Sequence, residues 1–221
     1  MRDGIVIVNK PQGITSHDVV AMVRRRFGMR QVGHAGTLDP LATGVLVVLL
    51  GKSTKLFNKF VNFDKAYRAT FILGTSTHTA DIQGKILRQL PYENISENLV
   101  REIFQQFVGE IEQVPPMVSA VKIGGQKLYQ LARRGIEVER KPRQIRIDCL
   151  QLEQFQPPNV IFYLECSKGT YVRQLADDVG GRLGCGACVS QIERVKVGPF
   201  HIDESVTLEE LNENHIRDWR G

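Results

Sequence analysis

Apolar positions along the chain change period several times, and each change marks an element. "GIVIVNKP" opens with a short apolar run ended by Pro11, which predicts a strand. In "ITSHDVVAMVRRRFG" the apolar Val19, Val20, Val23 and Phe27 recur at helical spacing. Thr15 or Ser16 can cap that helix, and Gly28 suits its C-terminal stop. "VLVVLLG" (Val45 to Gly51) is apolar without interruption and rich in β-branched residues, so it predicts a central strand buried on both faces. "KAYRATFILG" (Lys65 to Gly74) predicts another strand, and "TSTHTADIQGK" a polar loop. "SENLVREIFQQFVG" predicts an amphipathic helix capped at Ser96, with Leu99, Val100, Ile103, Phe104 and Phe107 on one side.

The second half continues the alternation. "VPPMVSAVKIGGQKLYQLARRG" starts as a proline-fixed loop, turns through Gly124 and Gly125, and ends in a short helix. "RQIRIDCLQLEQF" alternates polar and apolar residues, as a strand with one wet face does. "NVIFYLECSKG" predicts a strand leading into the helix "TYVRQLADDVGGRLG", whose Val172, Leu175, Ala176, Val179 and Leu183 face inward. "VSQIERVKVGPF" predicts a last strand. Strands and helices are interspersed without strict βαβ order. The predicted class is α+β, with a mixed, largely antiparallel sheet flanked by helices.

A length of 221 residues suits one core and a small insertion. The composition, 42% apolar and 24% charged, is that of an ordinary globular protein. Twenty-nine basic against 24 acidic residues give a net charge of +5, an excess that by itself only raises the odds of an anionic partner. The arginines are more informative, because they cluster. Arg24, Arg25, Arg26 and Arg30 form one group, and Arg133, Arg134, Arg140, Lys141 and Arg143 a second. Each group alone reads as a solvated face; together they suit a surface that tracks phosphates. No stretch approaches the roughly 20 apolar residues of a membrane span, and the N-terminal apolar patch is too short for a secretory signal. Four cysteines are too few for a disulfide scaffold, so a cytoplasmic protein is expected.

Two segments imitate known motifs. "GKST" (Gly51 to Thr54) resembles the end of a phosphate-binding loop, but Leu46 stands where its first glycine belongs. "CGAC" (Cys185 to Cys188) has metal-ligand spacing without a second close pair. Neither supports a cofactor. "QVGHAGTLDPLATG" (Gln31 to Gly44) is different. Pro40 biases Asp39 away from helical geometry, while Gly33, Gly36 and Gly44 allow close backbone approach. From the residues alone, Asp39 is equally a turn cap or a catalytic carboxylate, and His34 equally a cap or a ligand contact.

"GHAGTLDPLATGVLVVLLGKSTK" resembles the signature of the TruB-type pseudouridine synthases, which isomerise a uridine (position 55) in the T-loop of tRNA. "KPQGITSHDVV", "KAYRATFILG", "VPPMVSAVKIGGQKLYQLARRGIEVERKPRQIRI", "CSKGTYVRQLADDVG" and "RVKVGPF" resemble further family motifs in the family's order, so the match spans nearly the whole chain. The resemblance implies the pseudouridine synthase fold and no cofactor. It assigns Asp39 as the catalytic aspartate, Tyr67 as the tyrosine stacking on the target base, and Tyr171 and Arg173 as active-site partners, the arginine pairing with the aspartate. It implies RNA or substrate contacts at His34, Gly33, Thr37, Arg133 and Ile192, the last lining the base pocket, with Lys10 supporting the site. It further implies a monomer binding the T-arm of tRNA, by a reaction in which attack at C1′ and proton removal at C2′ both remain open.

Departures from the pattern are Val118 for an aromatic residue, Cys188 for a histidine, Ile192 for a leucine and Glu193 for an arginine. The resemblance further implies a thumb-like insertion around 75–122; many family members continue into a C-terminal RNA-binding domain of the PUA type, for which this sequence offers almost no residues, so a single catalytic domain over residues 1–221 without that full domain is expected. Two rival readings stand beside it: a tRNA-folding helper, and the same chemistry on another RNA.

Overall fold

The computed structural model describes residues 3–119 and 121–219, apart from the side chains of residues 122, 123, 127, 129 and 133. Strand β1 (Gly4–Lys10) is buried at every position except Asn9, and Pro11 follows it directly. Helix α1 (Ser16–Phe27) begins in a reciprocal cap: the Asp18 amide donates to the Thr15 hydroxyl, and the Thr15 amide donates to the Asp18 carboxylate. It ends at Gly28, whose φ of 60° is left-handed and costs a glycine least. Strands β2 (Val32–Ala35) and β3 (Thr43–Leu50) follow; β3 is buried from Gly44 to Leu50, as its unbroken apolar run predicts. "GKST" lies in a 3-10 helix over Gly51–Leu56 and runs into helix α2 (Phe57–Val61).

Strand β4 (Lys65–Leu73) leads to a hairpin whose first strand, β5 (Thr75–Thr77), lies in the segment expected to be loop and whose second, β6 (Ile86–Gln89), directly follows it. All four residues of β6 are exposed, so no apolar alternation marks it in the sequence. Helix α3 (Glu97–Gln105) is capped by the Ser96 hydroxyl, which accepts from the Leu99 amide. Strand β7 (Gly109–Gln113) is a second element not anticipated. The two-residue strands β8 (Lys122–Ile123) and β9 (Gln126–Lys127) flank the Gly124–Gly125 turn and lead into helix α4 (Leu128–Arg133). Strands β10 (Arg143–Gln156) and β11 (Asn159–Cys166), helix α5 (Val172–Leu183), and strands β12 (Ala187–Val197) and β13 (Phe200–His201) complete the order. The sheet is mixed and largely antiparallel, with helices, in agreement with the predicted class. No helix among the described residues is long and apolar enough to cross a membrane.

The chain divides into two compact units. The first joins Met1–Arg68 to Gln191–Gly221. There β1 and β2 both pair antiparallel with β3, while Glu193 and Arg194 of β12 pair parallel with Thr43 and Gly44. Ile5, Ile7, Val45, Val47 and Leu49 pack with Phe60, Val197 and Phe200 in its core. Trp219 closes this core against Phe60 and Phe200, with ring centroids 5.3 and 5.2 Å away. The second unit is Ala69–Ser190. Its β10 pairs antiparallel with both β11 and β7, and Phe71, Phe104 and Phe162 pack together at centroid distances of 5.5 to 6.2 Å.

Candidate active site

In the first unit, the loop between β2 and β3 carries Asp39, and five successive residues of it are tied down. The Gly36 carbonyl accepts from the Arg194 guanidinium at 3.0 Å, and the Thr37 carbonyl does so more weakly at 3.5 Å. The Leu38 amide donates to the Ser16 hydroxyl, which donates back to the Leu38 carbonyl. The Asp39 carbonyl accepts from the Ala42 amide, and the Pro40 carbonyl from the Gly13 amide at 2.8 Å. The turn therefore does not rely on Asp39's side chain as its only cap. A half-buried carboxylate on a loop fixed at each peptide fits a group positioned for chemistry.

Lys10, at the end of β1, is 0% exposed, and its ammonium donates to the Pro11 and Ile14 carbonyls at 2.8 Å each. Burial lowers its pKa to about 8, with the Asp39 carboxylate opposing that shift and Arg194 adding to it. Lys10 is thus within the electrostatic reach of Asp39 and internal to the fold, in keeping with a supporting role. His34 on β2 is partly buried and lies edge-on to His17, with ring centroids 5.4 Å apart. Its Nδ1 is buried without a hydrogen-bond partner among the described residues. Burial, reinforced by His17 and Arg194, pushes its pKa down to about 4, so the ring is neutral at pH 7. Thr37 is exposed and Gly33 partly so. A Cβ at Gly33 would meet only the Thr54 methyl at 3.9 Å, an ordinary contact, so nothing inside the fold demands glycine there.

Tyr67, on β4, is 8% exposed, and its hydroxyl hydrogen-bonds the Arg194 guanidinium. Ile192 is buried on β12, and its carbonyl lies 3.4 Å from the Thr43 hydroxyl. Arg194 itself is 1% exposed, with Nε donating to the Val45 carbonyl at 2.8 Å. The first unit thus holds Lys10, Gly33, His34, Thr37, Asp39, Tyr67 and Ile192 together with Arg194.

Tyr171 and Arg173 lie in the second unit, at the start of α5. Gln113, 2% exposed on β7, holds the Tyr171 backbone from both sides: its Oε1 accepts from the Tyr171 amide and its Nε2 donates to the carbonyl. Arg173 is 3% exposed; it donates to the Thr79 carbonyl at 2.8 Å and the Val118 carbonyl at 2.7 Å. Its Nη1 lies 3.5 Å from the Asp81 carboxylate, which also accepts from the Thr79 hydroxyl and the Gln83 amide. Only the backbone of Val118 enters this contact, so the departure at that side chain does not disturb it. The Arg133 side chain lies outside the described residues.

Arg194 and Asp81 are the site residues that the sequence did not announce. Nothing in an alternating strand marks one arginine as buried, and Asp81 lay in the segment read as loop. The Arg24–Arg26 run is only partly a free cationic face. Arg24 donates to the Val32 carbonyl, and Arg26 to the Glu209 and Leu211 carbonyls, whereas Arg25 and Arg30 are exposed. None of the four cysteines is in a disulfide, and burial pushes the Cys188 thiol up to about 11, which keeps it protonated and a poor metal ligand.

The description "TruB family pseudouridylate synthase (N terminal domain)" matches residues 24–172, and "tRNA pseudouridylate synthase B C-terminal domain" matches 173–218. The chain is 50% identical over 209 residues to the tRNA pseudouridine synthase B of Syntrophotalea carbinolica, covering 95% of this chain and 68% of that protein. It is 46% identical over 217 residues to the enzyme of the same name from Clostridium tetani, covering 98% and 75%. Among solved structures it is similar to a chain of a Cbf5-Nop10-Gar1 complex, with a TM-score of 0.75 at 30% identity. That likeness covers 94% of this chain and 53% of the other. A chain from an H/ACA RNP bound to a substrate RNA containing 2'-deoxyuridine gives 0.71 at 26% identity, covering 94% and 52%. The chain therefore spans about two thirds of the first two relatives' length and about half of the matched solved chains. With the family description matched from residue 24 to 172, on the mixed sheet described above, the chain belongs to the TruB family of pseudouridylate synthases.

Proposed function

We propose that this chain isomerises uridine to pseudouridine in the T-loop of tRNA, acting as a cytoplasmic monomer that grips the T-arm. The observation that carries the reading is the Asp39 loop, pinned at five successive residues beside the Lys10 cation and the Tyr67–Arg194 pair. Relatives named tRNA pseudouridine synthase B supply the substrate class.

The reaction breaks N1–C1′, turns the base and joins C5 to C1′; the proton leaving C5 is balanced by one gained at N1. Asp39 acts at the sugar, by attack on C1′ or by removing the C2′ proton. Lys10 supports the site from inside the fold, where the Asp39 carboxylate opposes the loss of its charge by burial. Arg173 is proposed to pair with Asp39, and Tyr171 to line the same site. The flipped base would stack on Tyr67, with Ile192 against it, which offsets part of the few kcal/mol of lost stacking. His34, Thr37 and Gly33 would contact the neighbouring nucleotides, and Arg133, Arg25 and Arg30 the phosphates. The segment around 75–122 is proposed to act as a thumb over the bound loop.

The test incubates unmodified tRNA transcript and a T-arm stem-loop with the protein and with Asp39→Asn, then maps carbodiimide adducts by primer extension. A new stop at one T-loop position is expected, with the single-turnover rate at least roughly 10³-fold lower in the variant. Intact RNA binding without any stop would favour the folding-helper reading.

A further inference from the structure

Among the described residues, Arg194 is a buried cation without a counter-ion. Among the described residues no carboxylate forms an ion pair with it; its partners are the Val45, Gly36 and Thr37 carbonyls and the Tyr67 hydroxyl. Burying a charge on dipoles alone costs several kcal/mol relative to an apolar side chain of similar volume. An apolar residue would fill the same space more cheaply, so the guanidinium's donors must do something packing cannot.

Their placement indicates what. Arg194 lies opposite Gly44 in the parallel register of β12 and β3, where the chain leaving the Asp39 loop enters the sheet. A Cβ at Gly44 would come within 2.4 Å of the Arg194 carbonyl oxygen, so the two backbones are as close as they can be. The side chain starts from this rigid point. Nε is anchored on β3, and the two terminal nitrogens reach the Asp39 loop. The same group bonds the hydroxyl of Tyr67 on β4. Only a planar fork with several donors can serve all these acceptors at once.

We propose that Arg194 is a positioning residue for the isomerisation, holding the Asp39 loop and the Tyr67 hydroxyl in one fixed relation so that carboxylate and ring meet the flipped nucleotide together. This rests on the reaction proposed above. It predicts coupling between two elements joined through one guanidinium, and a loss confined to the chemical step.

Arg194→Lys keeps the charge and loses the fork. With the T-arm stem-loop, its single-turnover rate is expected to fall roughly 30-fold or more, as displaced reacting groups do, while the RNA Kd stays within about 3-fold. In a Tyr67→Phe background the same substitution is expected to cost at most about a third of that factor, because half of the linkage is already gone. A rate within about 3-fold of wild type, a Kd that worsens in step with the rate, or the full loss in both backgrounds would each overturn the proposal. Should Arg194→Lys fail to fold, Tyr67→Phe alone still decides. It leaves Arg194 in place, and hydrogen exchange at the Leu38 and Ala42 amides is expected to quicken; unchanged protection would refute the linkage. This reading needs no turnover, so it judges Arg194 even if the RNA tested is not a substrate, whereas an inactive wild-type protein counts against the proposed reaction instead.

Discussion

Arg173 and Arg194 are buried almost equally, at 3% and 1% exposure, yet the two units treat their charges in opposite ways. Arg173 faces a buried carboxylate, Asp81, that is itself held by a hydroxyl and an amide. Among the described residues Arg194 has only carbonyl dipoles and a phenol. The first arrangement compensates a charge with a buried carboxylate, and removing that carboxylate leaves a desolvation cost to be met elsewhere. The second leaves the charge uncompensated, so removing any one contact costs less stability and more geometry. Buried arginines in one chain can therefore fail in different ways, and stability and rate measurements separate them.

The largest expected effect on stability is at Asp81. Asp81→Asn keeps an acceptor for Thr79 and Gln83 but removes the buried carboxylate that faces Arg173, which is expected to cost roughly 3 kcal/mol in urea unfolding. Arg194→Lys is expected to cost clearly less while slowing the reaction more. Equal stability losses in the two variants would break the comparison, since they would mean that the counter-ion at Arg173 matters no more than the dipoles at Arg194.

Next in size is Gly44→Ala. At φ 99° a side chain is strained, and its Cβ would press on the Arg194 carbonyl at 2.4 Å and its amide nitrogen at 2.8 Å. Strain and overpacking together are expected to cost roughly 2–3 kcal/mol. The damage should centre on the β3–β12 pairing, so the Val45 and Arg194 amides would lose protection before those of β10 and β11. Uniform loss across both units would show that this close approach does not hold the first unit's site locally.

What was legible in the sequence divides along the same physical line. Thr15, Gly28 and Ser96 were readable because caps and stops are local chemistry. The β3 run was readable because seven successive buried residues leave no polar phase. Strand β6 was not, since a fully exposed hairpin strand has no period to detect, and β7 is only five residues long with alternate positions exposed. Asp39 stood out through its proline and glycines. Arg194 and Asp81 did not, because what sets each apart is burial against partners remote in the chain, Arg173 for Asp81 and Gly36, Thr37 and Val45 for Arg194. The family motifs supplied the remaining roles, and they did so by resemblance alone.

The smallest expected effect belongs to His34, and it sharpens the contrast from the side of pH. Its folded pKa of about 4 lies below the ordinary histidine value of 6.5, so between those values the unfolded chain binds the extra proton. The stability this ring contributes is complete above pH 6.5 and is lost as pH falls toward 4. The groups that push the pKa down besides burial are His17 and Arg194, both cations when charged. Between pH 7.5 and 5 the wild-type chain is expected to lose roughly 1–2 kcal/mol through His34, and His34→Gln to lose less by that amount. Arg194→Lys, which keeps a positive charge nearby, should leave this acid sensitivity largely in place. An Arg194→Lys protein that lost the pH dependence while His34 remained would mean that the guanidinium shields the ring from water rather than repelling its proton, and the charge at Arg194 would then matter less than its shape.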